Sequence, residues 1–427
     1  MILAYRILST LLYPFLFIFI YYRKIIKKED SKRYKEKIFV SHYNVVEKKK
    51  SKLIWFHAAS IGEFKSIIPI ISELKESFKN LKFLITTTTL SSGNLAREKL
   101  KKYDNVEHRY IPYDVPFLID KFLLLWKPDK IFLVDSEIWP NLILGAQQNK
   151  IPIALVNGRL TNKSFNRWML FPKIAKKIFS IFKLCLCSNE ETKRYLEKIN
   201  KKKIYFNGNI KLVGRIDEKN IKNINENLLL NRRFWFAAST HKEENVFCLR
   251  THQKIKKQYN DILTIIAPRH IERVKEIESL SKKFKLDTQI LNKNEKIIKN
   301  KDIVIINYFG DLNNYFKYAK SVFMGKSMLK KLEDNSGQNP LEAAKLGCKI
   351  YHGPYVYNFD DIYKFLEKNK ISNKIFNDEE LSKNLILDLA SPGKKTNHFS
   401  NEIHKLGEKT LAETMIIIKK FLNNEYK

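Results

Sequence analysis

The chain has 427 residues, 44% of them hydrophobic, with few Gly and Pro; this allows two domains with separate cores and excludes a disordered or fibrous protein. Its 79 Lys and Arg outweigh 45 Asp and Glu, a formal net charge of +34 that favours anionic partners such as nucleic acid, acidic lipid or phosphorylated substrates. Lys, Ile and Asn are frequent throughout, so much of this charge also reads as solvated background. RNA-binding signatures are absent, and no nucleic acid partner is expected.

The first predicted element spans Ile7 to Tyr22, ILSTLLYPFLFIFIYY, which carries no charge and contains Pro14. It is short for a full membrane span and lacks a small-residue cleavage site. The basic segment RKIIKKEDSKRYKEK follows, which by the positive-inside rule keeps the rest of the chain in the cytoplasm. Residues 1–25 are therefore expected to be a membrane anchor or an obliquely inserted helix, with a buried core helix as the alternative.

Apolar runs then alternate with amphipathic stretches. Strands are predicted at 53–59, 81–88, 106–112, 130–136, 151–157, 183–189 and 203–209, and in a second series at 233–239, 261–268, 302–308, 321–325 and 349–354. Continuous apolar strands between helices imply parallel sheets covered on both faces. The polar segment 214–233 divides the two series. The expected architecture is α/β: two doubly wound Rossmann-like domains, 26–213 and 214–400, facing across a cleft, and a C-terminal helix, 401–427, that can pack back on the first domain. Ligands of such sheets bind at the carboxyl ends of the strands. The four cysteines, Cys185, Cys187, Cys248 and Cys348, form no C-x-x-C, and no zinc spacing with His occurs; Cys185 and Cys187 alternate on a buried strand, which fits a reducing compartment.

The distinctive polar clusters follow strands. In HAASIGEF (57–64), Glu63 falls in the first turn of a helix, where the dipole favours its anion, and can accept a proton from an attacking hydroxyl. Ser60 and Glu63 also fit a capping box, and taken alone these residues leave that reading ahead. VDSEIWPNLI (134–143) puts Asp135 and Glu137 at a strand end. VNGRLTNKSF (156–165) offers Arg159 as an anion grip or as an ordinary surface ion pair. FNGNIKL (206–212) offers Lys211, suited to neutralising an anionic leaving group. In the second half, AASTHKEEN (237–245) and APRHIERV (267–274) place Arg269 at a helix start suited to phosphate. DNSGQNPLEAAKLG (334–347) reads as a cap at Asn339, Pro340 at the first helical position, and Glu342 either completing a capping box or accepting from a ribose. No P-loop, G-x-G-x-x-G or G-x-S-x-G motif occurs, and no metal cluster is evident.

Taken in order from about residue 50 to 360, HAASIGE, IPYDVP, SEIWPN, VNGRL, GNIK, ASTHKEE, APRH, GDL and NPLEAAKLG with HGP resemble the 3-deoxy-D-manno-octulosonic acid (Kdo) transferases of lipopolysaccharide assembly. The resemblance implies a GT-B fold, no cofactor, no metal, and inverting transfer of Kdo from CMP-Kdo to a lipid A precursor at the cytoplasmic face of the inner membrane. It implies Glu63 as general base and Glu137 and Lys211 as transition-state stabilisers. It places CMP on Pro268, Arg269, Phe309, Gly310, Asp311, Asn339, Pro340, Leu341 and Glu342. The chain departs from the family pattern at Asp135-Ser136-Glu137, at Gly310-Asp311-Leu312, and at Gln338 before Asn339. Two rival readings are a nucleotide-sugar epimerase of the same fold and a non-enzymatic binder of acidic membrane or nucleic acid.

Overall fold

Apolar side chains that alternate between two faces need a helical layer on each face, and the strands of this chain meet that condition in two sheets. A computed structural model describes residues 2–39, 51–200, 203–214, 216–310, 312–331, 336–390 and 398–425. The chain divides into two compact units, Met1–Gly214 with Leu406–Lys427, and Arg215–Lys405.

The first unit contains β1 (Lys52–His57), β2 (Leu81–Thr87), β3 (Val106–Tyr110), β4 (Lys130–Val134), β5 (Ile153–Gly158), β6 (Leu184–Cys187) and β7 (Ile204–Phe206). They pair in the order β3-β2-β1-β4-β5-β6-β7, all parallel. One face carries Leu53, Trp55, Ile131, Leu133, Ile153, Leu155, Cys185 and Cys187 into one core. The other carries Ile54, Phe56, Phe132, Val134, Ala154, Val156, Leu184 and Leu186 into a second. Phe56 stacks on Phe132 at 4.6 Å between ring centroids, and Phe421 meets Phe132 edge-on at 5.4 Å. Burying side chains of this size contributes about 1.5–3 kcal/mol each. Phe421 belongs to the end helix His398–Leu422, whose Met415, Ile418 and Leu422 are buried in the same core. All four cysteines are free and buried.

The outer edge at β3 is covered by the turn Arg33–Lys37: Glu36 accepts the Tyr110 N–H at 2.8 Å and Arg33 donates to the His108 carbonyl at 2.8 Å. Pairing these groups removes a free edge that another chain could extend.

The second unit contains β8 (Phe234–Thr240), β9 (Leu263–Pro268), β10 (Thr288–Leu291), β11 (Ile303–Ile306), β12 (Ser321–Met324), β13 (Lys349–His352) and β14 (Ser372–Lys374). Their order is β10-β11-β9-β8-β12-β13-β14, again all parallel. Every expected strand is present. β10 and β14 are additional, and both lie at sheet edges. The polar segment 214–233 falls almost wholly in this unit, where it forms the helix Glu226–Asn231.

Strand order fixes where a ligand can sit. In the first sheet the order reverses between β1 and β4, and in the second between β8 and β12. Loops leaving neighbouring strands toward opposite faces open a crevice there. The stretches 57–63 and 135–139 flank the first reversal, and 239–244 and 325–328 flank the second.

The N-terminal segment forms two helices, Ile2–Leu11 and Tyr13–Ile25, bent by 53°. No single helix among the described residues is long and apolar enough to cross a membrane, though this bent pair passes that test together. Leu8, Leu11, Phe15, Ile18, Phe19 and Tyr22 all face outward, so the segment is not the buried core helix of the alternative reading. One side is tethered: buried Asp114 accepts the Tyr5 hydroxyl at 2.9 Å and the N–H groups of Asn141 (3.0 Å) and Leu142 (2.9 Å), capping the helix Pro140–Gln148.

Candidate active site

β1 delivers His57 to the carboxyl edge of the first sheet, and Ser60 caps the helix Ile61–Ser77. The Ser60 hydroxyl donates to one Glu63 oxygen at 2.7 Å, and the Ala59 N–H donates to the other at 2.8 Å. Only half of the capping box expected from the sequence is present: Ser60 accepts the Glu63 N–H at 3.4 Å, while the Glu63 carboxylate takes the Ala59 N–H, one residue before the cap. Glu63 is only 8% exposed. Burial pushes its pKa up, and so do the charges of Asp135 and Glu137; the Ser60 bond and Lys211 oppose this without cancelling it. The expectation from its helical position was an anion favoured by the dipole; burial and two neighbouring carboxylates act against that.

β4 is followed by Asp135, whose backbone is left-handed at φ 64°. Its N–H reaches the Val156 carbonyl at 2.9 Å, and its carbonyl accepts the Arg159 N–H at 3.2 Å. Arg159 also accepts the Ser136 hydroxyl on its own carbonyl at 2.9 Å, so its backbone ties the β4 and β5 loops together. Asn157, also left-handed at φ 54°, accepts the Ile210 N–H at 2.9 Å, and Asn209 accepts that of Lys211 at 2.9 Å. This turn aims the Lys211 ammonium at the Asp135 carboxylate, with which it forms an ion pair. The sequence singled out Lys211 as a charge for a leaving group; the structure gives it a carboxylate partner of its own.

Glu137 has different surroundings. One of its oxygens accepts the Trp139 indole N–H at 2.7 Å and lies 3.2 Å from His57 Nε2. Burial alone would push its pKa up; the hydrogen bonds from His57 and Trp139 outweigh that and hold it low. Two glutamates, one raised and one lowered, thus share the edge of one sheet. Environments that split a carboxylate pair in this way mark a proton acceptor and a permanent anion.

In the second unit, Ser239 is left-handed at φ 57°, and Gly325 lies so close that an added Cβ would stand 2.5 Å from the Ser239 carbonyl oxygen. Fully buried Glu244 accepts the N–H groups of His241 (2.8 Å), Lys326 (2.7 Å), Ser327 (2.8 Å) and Met328 (3.0 Å), welding the loops after β8 and β12. Gly337 donates to the Lys326 carbonyl at 2.7 Å and attaches the 336–342 segment to this web. Pro268 closes β9, and the Arg269 N–H binds the Thr240 carbonyl at 3.0 Å while its side chain is exposed. The His241 ring stands 5.7 Å from that of His270. Burial, with Lys326, His270, Arg269 and Arg273 close by, pushes its pKa down to about 4. Cationic groups gather here, as an anion site requires.

Phe309 is 74% exposed, and Gly310 is exposed beside it. Asp311 lies outside the described residues. Asn339 accepts the Leu341 N–H at 3.1 Å, and the helix Leu341–Lys345 starts one residue later than expected, after Pro340, with Glu342 in its first turn. Gly347 ends that helix at φ 75°. The structure thus brings Glu63, Glu137 and Lys211 into one cluster, and sets Pro268, Arg269 and Phe309–Gly310 on loops that leave adjacent strands of the other sheet. Sequence reasoning assigned nothing to His57, Glu244 or Lys326. The signal for Glu244 was present, an acid three residues after the helix-capping position.

The family model for 3-deoxy-D-manno-octulosonic-acid transferase (kdotransferase) matches residues 32–213. The 3-deoxy-D-manno-octulosonic acid transferase of Rickettsia bellii is 31% identical, over 99% of this chain and 100% of that protein. Its counterpart in Haemophilus influenzae is 30% identical over 73% of each. In fold, the chain is similar to the UDP-GlcNAc 2-epimerase of Neisseria meningitidis, with a TM-score of 0.59 at 14% identity, covering 87% of this chain and all of that one. A glycosyltransferase from Rickettsia africae has a TM-score of 0.55 at 14% identity, covering 89% and 98%. The paired sheets are of the GT-B type, and likeness over the full length, together with the carboxylate cluster on the first sheet, makes the chain a member of the 3-deoxy-D-manno-octulosonic acid transferase family.

Proposed function

We propose that the protein transfers Kdo from CMP-Kdo to a lipid A precursor, with inversion and without a metal. The observation that carries this reading, beside family membership, is the oppositely shifted pair Glu63 and Glu137. In a single displacement, the acceptor hydroxyl oxygen bonds to the anomeric carbon as the bond from that carbon to the CMP phosphate oxygen breaks. The hydroxyl proton passes to Glu63, and CMP departs with the electron pair of the broken bond. Glu137, held ionised, offsets positive charge that develops at the anomeric carbon. Lys211 tempers the rise in the Glu63 pKa. Arg269 and Lys326 supply charge for the CMP phosphate, near a helix start that favours anions.

The proposed location is the cytoplasmic face of the inner membrane. Outward-facing apolar side chains on the bent helix pair support it, as do Arg23, Lys24, Lys27 and Lys28 immediately after them. The test is mass spectrometry of a lipid A precursor incubated with purified protein and CMP-Kdo. Mass gain by whole Kdo units is expected, and the number of units is read directly. An unchanged lipid, with the protein folded, would sink the reading.

A further inference from the structure

We propose that His57 is a positioning residue that locks the Glu137 carboxylate in one orientation, through a directed chain of hydrogen bonds starting at Trp55. The inference rests on the transfer reading above, in which Glu137 faces the anomeric carbon.

The chain has a direction because its first member can only donate and its last, an ionised carboxylate, can only accept. Trp55 is fully buried, and its indole N–H donates to the Thr86 hydroxyl oxygen at 2.9 Å. That oxygen is thereby used as an acceptor, and its own hydrogen is free to point elsewhere. His57 Nδ1 lies 2.9 Å from it, nearer than the Thr86 carbonyl at 3.2 Å, which already accepts the Ala58 N–H at 3.0 Å. A threonine oxygen can accept twice, so the far end decides: an ionised Glu137 only accepts, which puts the neutral imidazole's proton on Nε2 and leaves Nδ1 to take the Thr86 hydroxyl hydrogen. An imidazole that accepts at Nδ1 carries its proton at Nε2. Nε2 lies 3.2 Å from the Glu137 oxygen that also takes the Trp139 indole N–H at 2.7 Å. Two donor-only contacts thus converge on one oxygen of Glu137 and set the direction of the other.

The sequence builds this device economically. Trp55 and His57 are on the same face of β1, two residues apart, and Thr86 is the register partner of His57 on β2. β4 is the other neighbour of β1, and Glu137 follows it. The relay thus crosses the strand-order reversal. None of its inner members is exposed: Trp55, His57 and Thr86 are each 0% accessible. A fully buried imidazole with both nitrogens committed has no room to bind a ligand itself, so it acts through Glu137.

Two measurements test this. The first is nitrogen NMR of the full-length protein with labelled histidine, His57 being assigned by its absence from His57→Gln. An unprotonated Nδ1 and a protonated Nε2 are expected; a proton on Nδ1 overturns the proposal. The second is kinetic. His57→Leu, which removes the donor, is expected to lower kcat ten- to hundredfold with KM for CMP-Kdo within about twofold. His57→Gln, whose amide can present an N–H in the same direction, is expected to recover most of that loss. Should His57→Leu fail to fold, Thr86→Val replaces it, with a several-fold fall in kcat expected. Active wild type beside a folded His57→Leu, or its Thr86→Val replacement, of unchanged kcat overturns this inference alone. Inactive wild type overturns the transfer reading instead.

Discussion

The carboxyl edges of the two sheets carry opposite chemistry. At the first, Glu63, Asp135 and Glu137 are largely withdrawn from water, and each carboxylate is held by named donors. At the second, the fixed element is a buried web around Glu244, and what it presents outward is the Arg269 side chain, His270 and an exposed Phe309. Burial lets a protein tune a carboxylate, because desolvation and neighbouring charges act at full strength only where water is excluded. Exposure keeps cations available to a charged ligand arriving from solution. In the proposed reaction, one edge moves the proton and the other receives the anion.

Substitutions that disturb one edge should spare the function of the other. The largest effect is expected for Glu63→Gln, with transfer falling about 10²- to 10⁴-fold while CMP-Kdo binding persists. Its stability moves the other way. The Glu63 pKa is raised in the fold, so its contribution is fully present below the unfolded pKa and is lost as pH rises through the folded one. Glutamine removes that loss, so thermal melts at neutral pH should show a Tm no lower than wild type, with the gap closing in acid. A clearly lower Tm would mean that the Ser60 and Ala59 bonds outweigh the desolvation of the anion.

Lys211→Met comes next. It strands Asp135 in a half-closed site, with a loss of about 1–3 kcal/mol in urea unfolding and about a hundredfold in kcat. Adding Asp135→Asn should recover the stability and leave kcat low; recovery of both would make the pair purely structural. Arg269→Ala should raise KM for CMP-Kdo about ten- to hundredfold, with stability within about 0.5 kcal/mol because its guanidinium is exposed. A change confined to kcat would move Arg269 from donor binding to chemistry. The smallest effect belongs to Tyr5→Phe, which removes one bond to Asp114 and should lower stability by about 0.5–1.5 kcal/mol in urea melts, with kcat within about twofold.

What the sequence displayed and what it hid divide along physical lines. Strands buried on both faces, such as KIFLV at β4, announce themselves as unbroken apolar runs. The edge strands β10, TQIL, and β14, SNK, do not, because most of their positions are not fully buried and need no apolar pattern. Glu63 was visible as a residue, since a helix start after a strand is a local feature. Its raised pKa was not, because that depends first on burial and then on Asp135 and Glu137, which reach it through the neighbouring strand β4. His57 was hidden for the same reason: its partners stand on β2 and beyond β4. The register of Asn339 was misread by one residue, within the ordinary ambiguity of a helix end.

The Asp114 carboxylate has a practical consequence. It holds the start of the helix that follows Glu137 and Trp139, and one of its hydrogen-bond donors, Tyr5, comes from the outward-facing N-terminal pair. Removing that pair to obtain a protein easier to handle in water therefore also loosens a cap three residues beyond Glu137. A truncated enzyme that turns over slowly would then be reporting on a frayed helix as much as on the lost apolar surface, and the single hydroxyl of Tyr5 is the control that separates the two.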